Sequence, residues 1–176
     1  MTGSATGMMV CFGGRTTDST SLADTWGLRR HRDGRWDWVK APYKSGEAPT
    51  PRYQHSTLFL GPLMMVIGGR TNLVGENVAL EVYDTESSEW YKFRAIQRFR
   101  HAVWSIDHNV YVHGGFEHET PNIPINAISR IDAIKLFANH PGLASKIYPK
   151  QSKKGSEAGP GKSQIKKNQN IYNIID

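Results

Sequence analysis

Residues 51–69 read PRYQHSTLFLGPLMMVIGG, and this stretch decides the fold. Two short apolar runs, 56–60 and 63–67, flank the Gly61-Pro62 turn, so the stretch predicts a two-stranded antiparallel hairpin that ends in a glycine pair. The glycine pairs that close such an apolar run are Gly13-Gly14, Gly68-Gly69 and Gly114-Gly115. A unit of this kind that recurs about every 50 residues indicates a repeat protein.

The repeat unit continues downstream of its glycines. Residues 77–84 (NVALEVYD) alternate apolar and polar side chains as a half-buried strand does, and a further strand, WYKFR, begins at Trp90. Four short antiparallel strands joined by turns make one blade of a β-propeller. We therefore expect an all-β chain of about three four-stranded blades, at 1–45, 46–95 and 96–138.

The third copy keeps the register of the second copy. Arg98 and His101 precede their glycine pair by the same spacing as Arg52 and His55 precede theirs. Its third strand is expected within 125–133, but no Trp follows, so its fourth strand is either missing or supplied by another part of a longer chain. The first copy begins almost at its second strand. Because a propeller needs at least four blades to close, we expect a partial propeller and a truncated chain.

The glycine pairs have a structural reason to exist. Strands crowd near a propeller axis, and glycine lets backbones approach closely or take a positive φ. Phosphate-binding loops also use glycine, but neither GxGxxG nor GxxxxGK[ST] occurs in the sequence. Large indole rings are expected to fill the wedge between blades, and Trp38, on the same face as Trp36, is expected to be core too. The residues with an expected structural role are Gly13, Gly14, Gly68, Gly69, Gly114, Gly115, Trp36 and Trp90.

The net charge of +6 over 176 residues is concentrated at the C-terminal end. From Lys146 onward there are seven lysines and two acidic residues, whereas the preceding part is nearly neutral. Nucleic-acid binding needs basic residues organised on a folded surface, so it is not predicted. Residues 139–176 are rich in Lys, Gly and Ser and are expected to form a flexible linker or tail.

Other compositional features bear on compartment and membrane. Cys11 is the single cysteine, so a reducing compartment is expected and the chain is expected to be intracellular, cytoplasmic and/or nuclear. No apolar run approaches the ~18 residues that a spanning helix needs, so no membrane partner is predicted.

The sequence offers little for catalysis or metal binding. The cluster HGGFEHE at 113–119 contains two His and two Glu and could offer three zinc ligands, but the other two repeats place apolar residues at the position of His113. This comparison indicates a strand position rather than a ligand. No GxSxG elbow occurs, and no histidine pairing is evident for Cys11, which lies in an apolar strand. We predict no catalytic residue, no metal site and no cofactor in this chain.

Propellers commonly bind partners through the loops on one face. By repeat geometry these loops hold the residues just after each glycine pair and those just before each first strand. The candidate binding residues are Arg15, Gln54, Arg70, Arg100 and Phe116. An arginine side chain binds a carboxylate or phosphate through two parallel hydrogen bonds. The alternative, that these arginines are only solvated surface residues, stays open.

Three segments carry a resemblance to a known family. They are DTWGLRRHRDGRWDWVKAP (24–42), RYQHSTLFLGPLMMVIGG (52–69) and RFRHAVWSIDHNVYVHGG (98–115). They resemble the kelch region of the Ser/Thr protein phosphatases with kelch-like repeats, found in plants, where they include the phosphatases of brassinosteroid signalling, and in alveolate protists. In that family a kelch propeller is followed by a linker and a metal-dependent phosphatase domain. The resemblance covers about residues 1–138.

The resemblance implies a protein-interaction module that binds a protein or phosphoprotein. It also implies that the remaining blades and a phosphatase domain belong to a parent protein, for which this region recruits substrates or regulates activity. The family motifs GDxHG, GDxxDRG and GNHE are absent from the sequence, so no catalytic residue is carried over. The two metal ions of the family are expected only in that absent domain.

Elsewhere among kelch proteins, ligand contacts follow the glycine pair or precede the first strand, which gives the five loop residues a candidate binding role. Two alternatives stay open at this point. One is that the chain is a fragment of a parent protein with metal-dependent phosphoprotein phosphatase activity, and the other is that it is a free-standing kelch adaptor.

Overall fold

Residues 2–3, 8–44, 47–73, 76, 78–148 and 173–174 are described by a computed structural model of the chain. Most of their regular structure is β-strand. The strands are β1 (Thr2–Gly3), β2 (Met9–Arg15), β3 (Ser21–Arg30), β4 (Trp36–Lys40), β5 (Ser56–Leu60), β6 (Leu63–Ile67), β7 (Ala79–Asp84), β8 (Glu89–Ala95), β9 (Ala102–Ile106), β10 (Asn109–His113), β11 (Ile128–Asp132) and β12 (Asn173–Ile174). The helices are α1 (Ala133–Leu136) and α2 (Pro141–Ile147).

The strands form three four-stranded sheets, each in chain order from β1, β5 and β9. The first two sheets are antiparallel throughout, while in the third β12 pairs with β11 in parallel. The first strands of the sheets lie side by side, since β5 contacts β1 on one flank and β9 on the other. The sheets are therefore three blades of a β-propeller whose innermost strands are β1, β5 and β9, which confirms the predicted fold class.

The hairpin quoted at the outset forms as predicted. β5 and β6 have the predicted bounds, and their register closes at Leu60 opposite Leu63 across the Gly61-Pro62 turn. All five side chains of β6 are buried because a neighbouring blade covers each face of the sheet. Met64 and Val66 pack with Phe12 of the first blade, whereas the alternate side chains pack with β10 of the third. The second blade is thus the core of the described structure.

The glycine pairs join one blade to the next. The N–H of Gly14 donates to the carbonyl of Arg52 at 2.9 Å, and the N–H of Gly69 donates to the carbonyl of Arg98 at 2.8 Å. All six paired glycines have positive φ. A Cβ on Gly13 would lie 2.6 Å from the Arg52 carbonyl oxygen, so the next blade leaves no room for a side chain there. The repeated glycines therefore allow the close approach that these hydrogen bonds need.

The tryptophans do not share one environment, and the prediction for Trp36 is wrong. Trp90 is 9% exposed and packs against Phe12 of the first blade. Trp36 and Trp38 are 59% and 55% exposed, so the expectation that Trp38 is core is wrong as well. Both lie on β4 of the first blade, and no blade among the described residues covers that strand. The register also shows that Trp38, opposite Leu28, is the counterpart of Trp90, opposite Tyr83.

The segment after β11 corrects the expectation of a tail from residue 139. Two short helices follow, and Phe137 and Leu143 are buried in the core between the second and third blades. Lys146 pairs with Asp84 at 2.5 Å and fixes α2 against the second blade. The apolar residues of this segment supply enough buried surface to order it. The helices described in the chain are too short to cross a membrane.

The predicted fourth strand of the third blade corresponds in part to β12. Ser129 and Arg130 of β11 pair with Asn173 and Ile174. A two-residue strand from the segment that was expected to be a tail therefore occupies this position. The rest of the predicted tail lies outside the described residues.

Candidate functional site

The glycine-pair ends of the three blades bring the predicted loop residues together. In the second and third blades, the residue after the glycine pair meets the residue that follows the repeated arginine. Tyr53 and Arg70 form a two-way backbone bridge, each N–H donating to the other carbonyl at 2.9 Å. Phe99 and Phe116 form the equivalent bridge in the third blade, at 3.1 and 3.0 Å. The bridges hold both loops in the same register at the end of each blade.

The side chains on these bridges form a row across the three blades, called here the arginine–aromatic row. The guanidinium of Arg15 lies 5.0 Å above the ring of Tyr53, and that of Arg70 lies 4.6 Å above the ring of Phe99. Within the third blade, the ring of Phe116 stacks on that of Phe99, with 5.8 Å between the ring centroids and 26° between the ring planes. Each arginine therefore reaches from one blade to an aromatic ring of the next, which orients its charge.

A second pair of loop residues lies beside this row. Gln54 and Arg100 occupy the same repeat position, and both have positive φ, +58° and +55°. The N–H of Arg100 donates to the Gln54 carbonyl at 2.9 Å. With its amide oxygen turned toward Arg100, Gln54 accepts from Nε and Nη2 at 3.0 Å each. A left-handed backbone costs a non-glycine residue roughly 1–2 kcal/mol. The surrounding structure must offset this cost, and it does so at the same repeat position in two blades.

All five predicted loop residues lie at this end of the blades. Arg15 and Arg100 are exposed, while Arg70, Gln54 and Phe116 are half-buried. The sequence reasoning missed the aromatic partners Tyr53 and Phe99. The signal was present as the repeated pattern Arg-aromatic-x-His, in RYQH and RFRH.

His118 also contributes to this end of the molecule. Its Nε2 lies 2.9 Å from the carbonyl oxygen of Gly69, and its ring lies 5.5 Å from that of Phe99. It therefore ties the loop of the third blade to the glycine pair of the second. Within the described ranges, no group of three or more His, Cys, Asp or Glu side chains is arranged to hold a metal ion.

Beneath the loops lies a fully buried ion pair. Nη2 of Arg52 is 2.8 Å from Oε2 of Glu81, and both side chains are 0% exposed. Arg52 also donates to the carbonyls of Gly68 (3.2 Å) and Ala79 (2.7 Å), and Thr50 donates to Glu81 through its N–H and hydroxyl. Burial lowers the pKa of Arg52 to about 10, and the charge of Glu81 opposes that shift. The ion pair therefore fixes the segment that leads from the first blade into the second against β7, the third strand of the second blade.

The repeated histidines lie under the same loops. Burial lowers the pKa of His55 and of His101 to about 4, and the charges of Arg52 and Arg98 act in the same direction. Both imidazoles are therefore neutral at pH 7. Both rings lie against the glycines of the preceding blade, which indicates a structural role.

This burial predicts a pH-dependent stability. The folded-state pKa values lie below the ordinary value of 6.5, so the unfolded chain binds more protons. The contribution of the two neutral histidines to the free energy of unfolding is fully present above pH 6.5 and is lost as the pH falls toward 4. Lowering the pH from 7 to 6 is expected to reduce the free energy of unfolding by about 1 kcal/mol for the two residues together.

Urea unfolding at a series of pH values measures this dependence. His55→Gln is expected to remove about half of the slope between pH 7 and 6, because one of the two titrating groups is gone. An unchanged slope in that variant would show that other groups cause the dependence.

With this geometry established, comparison with known proteins places the chain in a family. Residues 1–133 match the KLHDC2/KLHL20/DRC7 kelch-repeats domain. The chain belongs to this kelch-repeat family. Its three blades are therefore kelch blades, and its fold is a partial kelch propeller. Kelch domains are non-catalytic modules that act in protein–protein interaction.

Two relatives share part of this kelch region. The chain is 29% identical over 135 residues to the serine/threonine-protein phosphatase BSL2 of Arabidopsis thaliana, which covers 62% of the chain and 13% of the relative. It is 34% identical over 76 residues to the tRNA wybutosine-synthesizing protein 2/3/4 of the same plant, which covers 39% of the chain and 7% of the relative. The kelch chain thus spans only a small part of each relative, and its resemblance to the kelch region of such phosphatases is confirmed.

Proposed function

We propose that the kelch blades bind a protein partner through the arginine–aromatic row and the adjacent Arg100. The observation that carries this proposal is the alternation of guanidinium and aromatic groups across neighbouring blades, with Arg15 over Tyr53 and Arg70 over Phe99. Arginine and aromatic side chains are enriched in the energetic centres of protein interfaces. The row offers both on loops that a rigid sheet positions.

The partner segment is proposed to be acidic or phosphorylated. Arg15 of the first blade and Arg100 of the third are exposed at this end, and Arg70 of the second blade is half-buried. Guanidinium groups form charge-assisted, bidentate hydrogen bonds with carboxylate and phosphate oxygens. Rings beneath Arg15 and Arg70 reduce the side-chain entropy that binding would cost, since they already orient the charges.

The role in a parent protein is proposed to be recruitment or regulation for a Ser/Thr phosphatase. The identity of 29% with the BSL2 phosphatase over 135 residues supports this proposal. The full transcript tests it: catalytic motifs such as GDxHG downstream of residue 176 are expected. A non-catalytic neighbouring domain would favour the adaptor alternative instead.

The binding face is tested with Arg70→Ala/Arg100→Ala. A phosphoserine peptide library selects a ligand for the wild-type chain, and fluorescence polarisation then compares the variants. We expect the double variant to bind at least about tenfold more weakly, because hydrogen bonds to charged groups contribute about 1.5–3 kcal/mol each. The unphosphorylated version of the selected peptide shows how far phosphate matters.

A matched control variant has the same net charge as Arg70→Ala/Arg100→Ala. Arg32→Ala/Arg35→Ala removes two exposed arginines from the turn between β3 and β4, at the opposite end of the first blade. This control is expected to bind like the wild type. Equal weakening by both variants would indicate non-specific attraction to positive charge and would overturn the proposed face.

A further inference from the structure

The second and third kelch blades place an arginine at the same buried position but give it different partners. Arg52 donates from Nη1 to the carbonyl of Ala79, and Arg98 donates from Nη1 to the carbonyl of Ala127. The two distances are 2.7 and 3.4 Å. The repeat therefore holds both guanidinium groups against the start of the third strand of their blade.

The carboxylate that pairs with Arg52 has no counterpart in the third blade. Glu81 lies opposite Val66, two residues before the glycine pair, and the residue opposite Val112 at the same repeat position is Ser129. A short, neutral side chain thus replaces Glu81. Among the residues that the structure describes, no carboxylate lies within ion-pair distance of Arg98.

A cavity opens where the longer side chain is missing. Its volume is about 500 Å³, within the range of small-molecule sites. The residues that line it are Arg94, Ala95, Ile96, Gln97, Arg98, Glu117 and Ser129. Arg98 is only 8% exposed, and burial lowers its pKa while the charge of Glu117 opposes that shift. The cavity is therefore lined by a buried guanidinium, by other polar side chains and by the apolar residues Ala95 and Ile96.

We propose that this cavity binds a carboxylate that pairs with Arg98 as Glu81 pairs with Arg52 in the preceding blade. The repeat itself is the template. In the second blade, an arginine held by a backbone carbonyl pairs with the Glu81 carboxylate, and in the third blade the equivalent arginine borders the cavity. Arg98 is buried in this lining, so a bound carboxylate would supply the charge that Glu81 supplies to Arg52. The carboxylate belongs either to a free organic acid or to an acidic side chain of a bound protein.

The site is separate from the proposed partner-binding face. It lies in the wedge between the second and third blades, whereas the arginine–aromatic row lies on the loops. Neither Arg98 nor Ser129 belongs to that row. Failure of one proposal therefore leaves the other intact.

Two probes distinguish the sources of the carboxylate. Glutarate represents a free acid, and the blocked peptide acetyl-Gly-Glu-Gly-amide represents an acidic side chain, with the Gln peptide as its control. Isothermal titration of the full chain is expected to show saturable 1:1 binding of one or both acidic probes. Absence of saturable binding by both would overturn the proposal.

Ser129→Glu tests the location of binding. The new carboxylate is expected to occupy the cavity, to raise the melting temperature by pairing with Arg98, and to weaken probe binding at least about tenfold. Ser145→Glu makes the same charge change on the exposed face of α2, at the opposite end of the blades, and is expected to bind like the wild type. Equal binding by Ser129→Glu and the wild type would overturn the assignment.

A direct measurement avoids dependence on the fold of a variant. The Nε–H resonance of Arg98, assigned in the wild-type chain by NMR, is expected to shift on addition of glutarate or the Glu peptide. Saturable binding that leaves this resonance unchanged would place the carboxylate elsewhere and overturn the proposal.

Discussion

Glu81→Ala is expected to lower the free energy of unfolding by about 3–5 kcal/mol, because it removes one partner of a buried ion pair. Arg52 and Glu81 are both fully buried, and Nη2 lies 2.8 Å from Oε2. The substitution leaves the Arg52 charge in the interior with backbone carbonyls as its remaining acceptors, while Thr50 loses its acceptor. Urea unfolding followed by tryptophan fluorescence measures the change.

An exposed pair of the same length provides the control. Arg29 and Asp37 are also 2.8 Å apart but are solvent-exposed, so Asp37→Ala is expected to cost much less than Glu81→Ala. The double variant Arg52→Leu/Glu81→Leu is expected to recover most of the loss, because it leaves no unpaired charge. If Glu81→Ala costs no more than Asp37→Ala, burial of the pair does not stabilise the blade.

The parts of the fold that depend on local chemistry could be predicted from the sequence. The hairpin of β5 and β6 was predicted to the residue, since two apolar runs, a Gly-Pro turn and a glycine pair leave one arrangement. Repetition of that pattern then gave three blades. The glycine pairs carry most of this information, because their positive φ and close contacts are required by the join between blades.

The parts that depend on what covers a surface could not be predicted in this way. Trp36 and Trp38 were expected to be core like Trp90, but of the three only Trp90 has a neighbouring blade against its ring. The helix α2 has seven residues, too few for a clear period, and its order comes from the packing of Leu143 and Phe137 into the core. In both cases a tertiary contact decides the outcome.

The candidate site shows the same division. Repeat geometry found the loop arginines Arg15, Arg70 and Arg100, because position in a repeat determines position on a blade. It did not find the rings of Tyr53 and Phe99, which join those arginines across blades. Such pairs become visible only when the blades are placed side by side.

Gly68→Ala is expected to lower the free energy of unfolding by about 2–5 kcal/mol, from backbone strain and overpacking together. Gly68 has a φ of +62°, a conformation that costs alanine free energy. A Cβ there would overlap the carbonyl oxygen of Arg98 and lie 2.8 Å from Cε1 of His101. The third blade would have to move away, which would weaken the hydrogen bond from Gly69 to Arg98. Urea unfolding measures the loss.

Gly34→Ala separates the two causes. Gly34 also has a positive φ, +87°, but a Cβ there would meet nothing within 4 Å, so only the strain of about 1–2 kcal/mol is expected. The excess loss in Gly68→Ala over Gly34→Ala then measures the close approach of the second and third blades at the glycine pair. Equal losses would mean that backbone conformation alone, and not the join between blades, requires the repeated glycine.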